Sequence, residues 1–198
     1  MFGFFGWGLA VAVMVRSGFG LGAWDAFHAG LHREFGIGIG TASILAGVAI
    51  VLASLPLGVR PGVGTVANMV LIGVFINLLL PVIPAARSAP AALAYHLGGI
   101  GLVGWFTGAY IAAGLGKGPR DGLVLALAAR TGWPVRRVRT LVELSVLALG
   151  WQLGGKLGIG TVLYALLVGP SMQWGLARWG VLPRPAAPDR AAALRPAA

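Results

Sequence analysis

The sequence contains no cysteine, and it contains few charged residues. The absence of cysteine in all 198 residues excludes disulfide bonds and metal sites built from thiolates. Only 10% of the residues are charged, whereas a soluble domain carries roughly 25%. Hydrophobic residues make up 58% of the chain. A chain with so little polar surface is predicted to be an integral membrane protein, with the lipid bilayer as its surroundings.

Acidic residues are especially scarce: five Asp and Glu stand against fifteen Lys and Arg. Most of the basic residues lie between apolar segments or near the C-terminus. This distribution predicts a membrane topology signal and contact with anionic lipid headgroups, and it argues against a nucleic-acid partner. No Lys or Arg precedes the first apolar run, so we expect no cleaved signal peptide.

One stretch of the sequence occurs twice. Gly18–Asp25 reads Gly-Phe-Gly-Leu-Gly-Ala-Trp-Asp, and Gly114–Asp121, 96 residues later, reads Gly-Leu-Gly-Lys-Gly-Pro-Arg-Asp. The same offset aligns 18–77 with 114–173, where 15 of 60 positions are identical and eight of these are glycine. A fixed spacing over this length predicts an internal duplication.

Each copy is predicted to hold three membrane spans and one short helix. The short helices, 24–35 and 119–131, would reach only ~18 Å against a ~30 Å hydrocarbon core, so we expect them to be re-entrant or interfacial. The predicted fold is therefore an all-α membrane protein with six transmembrane helices in two three-helix repeats, 1–90 and 91–178, followed by a disordered tail, 179–198. The predicted spans are 2–15, 41–57, 66–83, 91–113, 138–153 and 162–177.

Three spans per copy is an odd number, so the two copies should enter the membrane from opposite sides as inverted repeats. With the N-terminus inside, the inner segments carry eleven Lys and Arg residues and the outer segments four. This excess predicts that both termini are cytoplasmic. The inner set is Arg60, Lys117, Arg120, Arg130, Arg136, Arg137, Arg139, Arg178, Arg184, Arg190 and Arg195, and the outer set is Arg16, Arg33, Arg87 and Lys156.

Several motifs resemble the YczE/YyaS/YitT-type family of uncharacterised bacterial membrane proteins, over nearly the whole chain except the tail. The second Gly-Pro-Arg-Asp stretch is the most specific of them. The resemblance implies a multi-pass inner-membrane protein, sometimes guessed to be permease-like, and it implies no substrate. The motifs are Gly-Leu-Gly-Ala-Trp-Asp (20–25), Gly-Leu-Gly-Lys-Gly-Pro-Arg-Asp-Gly-Leu (114–123), Arg139-Thr140, Glu143-Leu144, Gly150-Trp151 and Gly-Ile-Gly-Thr (158–161).

Asp25 and Asp121 occupy equivalent places near the starts of the two short helices, where an acid also complements the helix dipole. That structural role would explain both residues. The alternative is a substrate site to which both half-helices contribute, since ionisable residues at membrane depth mark sites. Arg120 would neutralise Asp121 or meet an anionic substrate. The candidate substrate-binding residues are Asp25, Asp121, Arg120, Gly20, Gly22, Gly116, Gly118 and Glu143.

Other polar residues have simpler interpretations. Glu143 lies four residues after Arg139, so a local ion pair along one helix is expected. Thr65 and Thr161 are predicted to be helix N-caps. Asp25, His28 and His32 share a helical face, but the second copy lacks both histidines, and we predict no metal. No catalytic set or cofactor motif is present, so we predict neither an enzyme nor a bound cofactor.

Two functions follow from these interpretations. The first is a small transporter or permease-like protein for a small polar solute or ion, which predicts a polar cavity lined by both copies. The second is a non-transporting scaffold that assists a partner complex, which predicts a tightly packed interior and an exposed apolar or small-residue face. Association into a homo-oligomer is left open. We also expect that neither Gly20 nor Gly118 tolerates a valine, because alternating glycines indicate strained or tightly packed backbone.

Overall fold

A computed structural model describes residues 1–114 and 118–181 of the chain. Over these residues the protein is all-helical and has no strand. The α-helices are α1 (Phe2–Ser17), α2 (Ala23–Phe35), α3 (Ile39–Ser54), α4 (Val63–Leu79), α5 (Ala89–Ala112), α6 (Pro119–Thr131), α7 (Val135–Gln152) and α8 (Ile159–Arg178), and one turn of 3-10 helix (Leu55–Leu57) follows α3.

Local sequence explains where these helices begin and end. Glycines in the left-handed conformation end α1 at Gly18 and both short helices at Gly36 and Gly132, with φ between 66° and 70°. Pro119 occupies the first position of α6, where its missing N–H costs nothing. All of these breaks fall at residues that are poor helix formers.

The prediction that Thr65 and Thr161 are N-caps was wrong by three residues. Gly62 and Gly158 are the N-cap residues, and each threonine is the third residue of its helix. The hydroxyl of each threonine accepts a hydrogen bond from the backbone N–H of the N-cap glycine, at 3.3 Å and 3.2 Å. The threonines therefore stabilise the helix starts from within the first turn, as the second member of a capping box does.

Helix contacts in the first half have equivalents in the second. When α1–α4 are matched to α5–α8 in order, α1–α4 packing corresponds to α5–α8 packing, and α2–α3 to α6–α7. The contact between α2 and α7 likewise corresponds to that between α3 and α6, and α1 packs against its own equivalent, α5. The exception is that α3 and α4 pack together, whereas α7 and α8 make no extensive contact among the described residues.

The centre of the protein lies along α1 and α5. Val11, Met14 and Val103 are among the fully buried side chains of this core. His96 is completely buried, and its Nε2 lies 2.8 Å from the Gly160 carbonyl oxygen at the start of α8. A single histidine in an apolar run gives no sequence signal for this contact between distant helices.

Among the residues that the structure describes, two helical segments, Ile39–Leu57 and Ile159–Arg178, are both long and apolar enough to cross a membrane, and α1 and α4 are apolar but shorter. Some helix bounds differ from the predicted ones. The helix α4 ends at Leu79, whereas the predicted span ended at residue 83, and α7 begins at Val135, whereas the predicted span began at residue 138. At the end of α8, the ring of Trp179 lies 5.7 Å from that of Trp105. Most of the predicted disordered tail, from residue 182 onward, lies outside the described residues.

Candidate functional site

A cavity of about 480 Å³ lies between the two halves of the chain. Both short helices contribute their first turns to it, and α1, α3, α4, α5, α7 and α8 form the rest of its wall. Its charged lining residues are Asp25, Arg120, Asp121, Arg136, Arg139 and Glu143, and its polar and aromatic ones include Trp7, Trp24, Asn68, Thr107, Tyr110 and Tyr164.

Asp25 is the third residue of α2 and is only 3% exposed. The free N–H groups at the start of the helix favour an acid at this position. Its Oδ1 lies 3.8 Å from Nδ1 of His28, one helical turn later, and neither ring nitrogen of the buried His28 has a hydrogen-bond partner among the described residues. The carboxyl group of Asp25 is also within the electrostatic influence of Arg120 and Glu143. This side of the cavity therefore holds a buried, polar pair of side chains in an otherwise apolar core.

Asp121 is the third residue of α6, as its equivalent is in α2. Its Oδ1 lies 3.4 Å from Nη1 of Arg139 on α7, and the two side chains are 37% and 52% exposed. The guanidinium carbon of Arg120 instead lies 4.7 Å from the centre of the Trp24 ring, a cation–π distance. The expectation that Arg120 neutralises Asp121 is therefore replaced by an ion pair between α6 and α7.

The ion pair predicted between Arg139 and Glu143 was wrong, because the structure directs Arg139 to Asp121. Glu143 is half-buried in the cavity wall and has no salt bridge among the described residues. The repeat partners Asn68 and Tyr164 both line the cavity. Helix periodicity gives neighbours along one helix correctly, but it cannot reveal that a neighbouring helix offers a carboxylate.

The four glycines that were predicted to belong to the substrate site do not all lie at the cavity. Gly22 and Gly118 line the cavity. Gly20 lies outside it, with φ 121° and with its α-carbon so close to the α8 start that a Cβ would be 2.9 Å from the backbone nitrogens of Gly158 and Thr161. Gly116 lies outside the described residues. Gly20 is therefore a packing residue of the α1–α2 connection.

Most of the lining residues were not among the predicted site residues, and Trp7, Thr107 and Arg136 are examples. Trp7 on α1 donates a hydrogen bond from Nε1 to the Thr107 hydroxyl on α5, at 3.0 Å. Arg136 on α7 was counted only as a topology signal, and it lines the cavity. A tryptophan or threonine in an apolar helix is common, so only the pairing of two helices identifies these residues.

Charge balance defines what the cavity can do chemically. Three arginines and three acids line it, and the Asp121–Arg139 contact is the one arginine–carboxylate salt bridge among them in the described residues. Hydrogen-bonding groups from Asn68, Tyr110 and Tyr164 face the same space. An arrangement with unpaired charges of both signs beside aromatic rings can bind a small polar or charged molecule.

The fold and composition define an all-helical protein with a charged internal cavity. The model of a family of unknown function, DUF6198, matches residues 1–176, and the chain belongs to this family. It is 40% identical over 158 residues, or 79% of this chain and 74% of the relative, to the uncharacterised membrane protein YczE of Bacillus subtilis (strain 168).

A second relative is an uncharacterised protein of Haemophilus influenzae (strain ATCC 51907 / DSM 11121 / KW20 / Rd). It is 34% identical over 169 residues, which cover 85% of this chain and 78% of the relative. No solved structure matches the chain. The predicted family resemblance is confirmed, and the name of the first relative agrees with the membrane character predicted from composition.

Proposed function

We propose that this protein is a transporter or permease for a small polar solute or ion. The observation that supports this function best is the cavity of about 480 Å³, to which both short helices bring an acid. A membrane protein that served only as a scaffold would gain nothing from unpaired charges in its interior, since each is costly to bury. An accessory scaffold is the alternative function. It predicts that the protein still assists its partner complex when these charges are removed.

We further propose six spans in two inverted repeats, with both termini in the cytoplasm of a bacterial inner membrane. Two contacts support this arrangement by joining connections predicted to be on the same side. The Gly160 N–H donates to the Phe19 carbonyl at 2.9 Å, and Nη1 of Arg33 lies 3.3 Å from the Gly154 carbonyl oxygen. The α1–α2 and α7–α8 connections thus lie at one end of the bundle.

Reporter fusions test this topology. A fusion after Arg87 should report the outside, and a fusion at the C-terminus should report the cytoplasm, because the eleven-to-four charge bias favours that orientation. Alkaline phosphatase and green fluorescent protein fusions give opposite signals on the two sides. Placement of both positions on the same side would contradict the inverted repeats.

Water access to the cavity is testable with single cysteines, because the chain has none of its own. Thr107→Cys, at a cavity residue, should react with a small hydrophilic thiosulfonate in sealed vesicles. Leu166→Cys, on the exposed apolar face of α8, is the matched control that should face lipid and stay unreacted. Reaction of neither position would mean that the cavity is closed to water.

The two acids give the direct test of transport. In proteoliposomes screened for flux of small inorganic ions, amino acids and sugars, Asp25→Asn and Asp121→Asn should each reduce flux at least tenfold, because each removes a charge from the cavity. Both variants should keep their folded yield. Glu34→Gln, at an exposed acid outside the cavity, is the control and should transport normally. Unchanged flux in both variants would favour the helix-terminus role of these acids, which is worth only ~0.3–1 kcal/mol.

A further inference from the structure

The cavity opens sideways between α7 and α8, and the equivalent interface in the first half is closed. A Cβ on Gly40 of α3 would meet the Gly73 carbonyl oxygen of α4, so the two backbones are in direct contact. Two turns further on, a Cβ on Gly47 would meet the Met69 side chain, which fills the space between the helices. These two contacts leave no gap between α3 and α4.

The second copy has different residues at three of the same four places. Arg136 and Glu143 replace the glycines of α3, and Ala165 replaces Met69. Gly169 is retained as the equivalent of Gly73, but apart from its own helix no described residue lies within 4 Å of a Cβ built on it. Arg136 and Ala165 line the cavity and are also exposed, so the cavity reaches the outer surface here. We call this opening the α7–α8 cleft.

The α7–α8 cleft has apolar residues on both side walls, and its end is basic. Leu144 and Leu147 on α7 and Val168 and Met172 on α8 line it. Thr140 and Glu143 are polar residues of the α7 wall. Arg136 lies in the first turn of α7, and no salt bridge of its guanidinium is found among the described residues. With 18 residues, α7 is ~27 Å long, which places its first turn at headgroup level in a ~30 Å hydrocarbon core.

We propose that the α7–α8 cleft binds one acidic phospholipid. The phosphate of the headgroup lies against Arg136, and one acyl chain fills the space that Met69 fills in the first half. An apolar channel with a cationic end matches a lipid with a net negative charge, and basic pockets between membrane helices are known to bind such headgroups. The site does not depend on the transport proposed above.

Native mass spectrometry of the full-length protein in mild detergent tests this site with two probes of equal chain length, phosphatidylglycerol and phosphatidylethanolamine. The wild-type chain should retain one phosphatidylglycerol in preference to phosphatidylethanolamine. Arg136→Gln should weaken this retention about fivefold, as expected for one basic side chain near a lipid headgroup. Arg137→Gln is the matched control, because Arg137 is adjacent and exposed but does not line the cleft, and its retention should stay within about twofold of wild type.

Ala165→Met provides a second test that leaves every charge in place. It installs the residue of the first copy and should expel the acyl chain, so the bound lipid is lost while the melting temperature is kept or raised. Equal retention of the two lipids, or equal retention by Arg136→Gln and Arg137→Gln, would overturn the proposal. So would displacement of the lipid by an equal concentration of glycerol 3-phosphate, or a dimer mass with no bound lipid, which would assign the cleft to a soluble phosphate ester or to a second copy.

Discussion

The α3–α4 interface and the α7–α8 cleft occupy equivalent places in the two halves of the chain, yet one is closed and the other is open. The closed interface depends on glycine, because the α-carbon of Gly40 lies against the Gly73 carbonyl. Arg136 at the equivalent position carries a side chain that no such contact can accommodate. The difference therefore comes from residue size, and it shows that equivalent positions in the two halves give two different surfaces through a few differences in sequence.

The two short helices also differ in how enclosed they are, and again the element of the first half is the more closed one. Asp25 is buried beside His28, whereas Asp121 is partly exposed and is paired with Arg139. The α2 start is held against the α8 start by the Gly160–Phe19 hydrogen bond. The first half contributes the closed, apolar side of the cavity, and the second half contributes most of the charge. The cavity is therefore charged and open on one side because the two halves contribute different residues to it.

The largest effect is expected when the residue of the second copy is placed in the first. Gly40→Arg should abolish folded protein, because the side chain would be forced into the Gly73 carbonyl, and overpacking costs ~1–3 kcal/mol even for a few extra methylenes. Monodisperse yield in detergent is the measurement. The reciprocal Arg136→Gly is the control and should fold, and a normal yield for Gly40→Arg would show that the α3–α4 interface is loose.

The next effect concerns Gly20 and Gly118, which lie just before the two short helices. The sequence predicted that neither glycine tolerates a valine. Gly20→Val should lose most of its folded yield, because φ is 121° and the Cβ would be 2.9 Å from the Thr161 nitrogen. Gly118→Val should fold, because the nearest atom to its Cβ is the Asn68 Oδ1, at 3.5 Å. Yield and thermal melting of the two variants decide the matter, and equal loss in both would restore the sequence-based expectation.

The smallest effect is expected from alanine at Gly73, a glycine of α4 that α8 retains at the equivalent position as Gly169. Gly73→Ala should destabilise the protein by ~1–3 kcal/mol, because its Cβ would lie 2.5 Å from the Gly40 carbonyl oxygen. Gly169→Ala has open space and should be neutral, or stabilise its helix by up to ~1 kcal/mol through the better propensity of alanine. Shifts of the melting temperature in opposite directions for the two variants would confirm the difference between the interfaces, and equal shifts would contradict it.

Prediction from sequence succeeded where the cause was local. Asp25 and Asp121 were expected near the starts of short helices, and each is the third residue of its helix. It failed where a partner lay far along the chain. Arg139 was assigned to Glu143 on its own helix, but α6 brings Asp121 within 3.4 Å of it. The threonine caps were displaced by three residues because glycine can also serve as an N-cap.

The sequence by itself determined the apolar character of the chain, its duplication at an offset of 96, the short helices and the places where glycine and proline end helices. These properties depend on composition, periodicity and backbone freedom, which are local to a few residues. Only the tertiary structure decided that Trp7, Arg136 and Tyr164 share one cavity with both aspartates, and that this cavity opens between α7 and α8. The physical reason is that helix packing joins residues far apart in the chain, and whether two helices touch depends on the size of side chains on both.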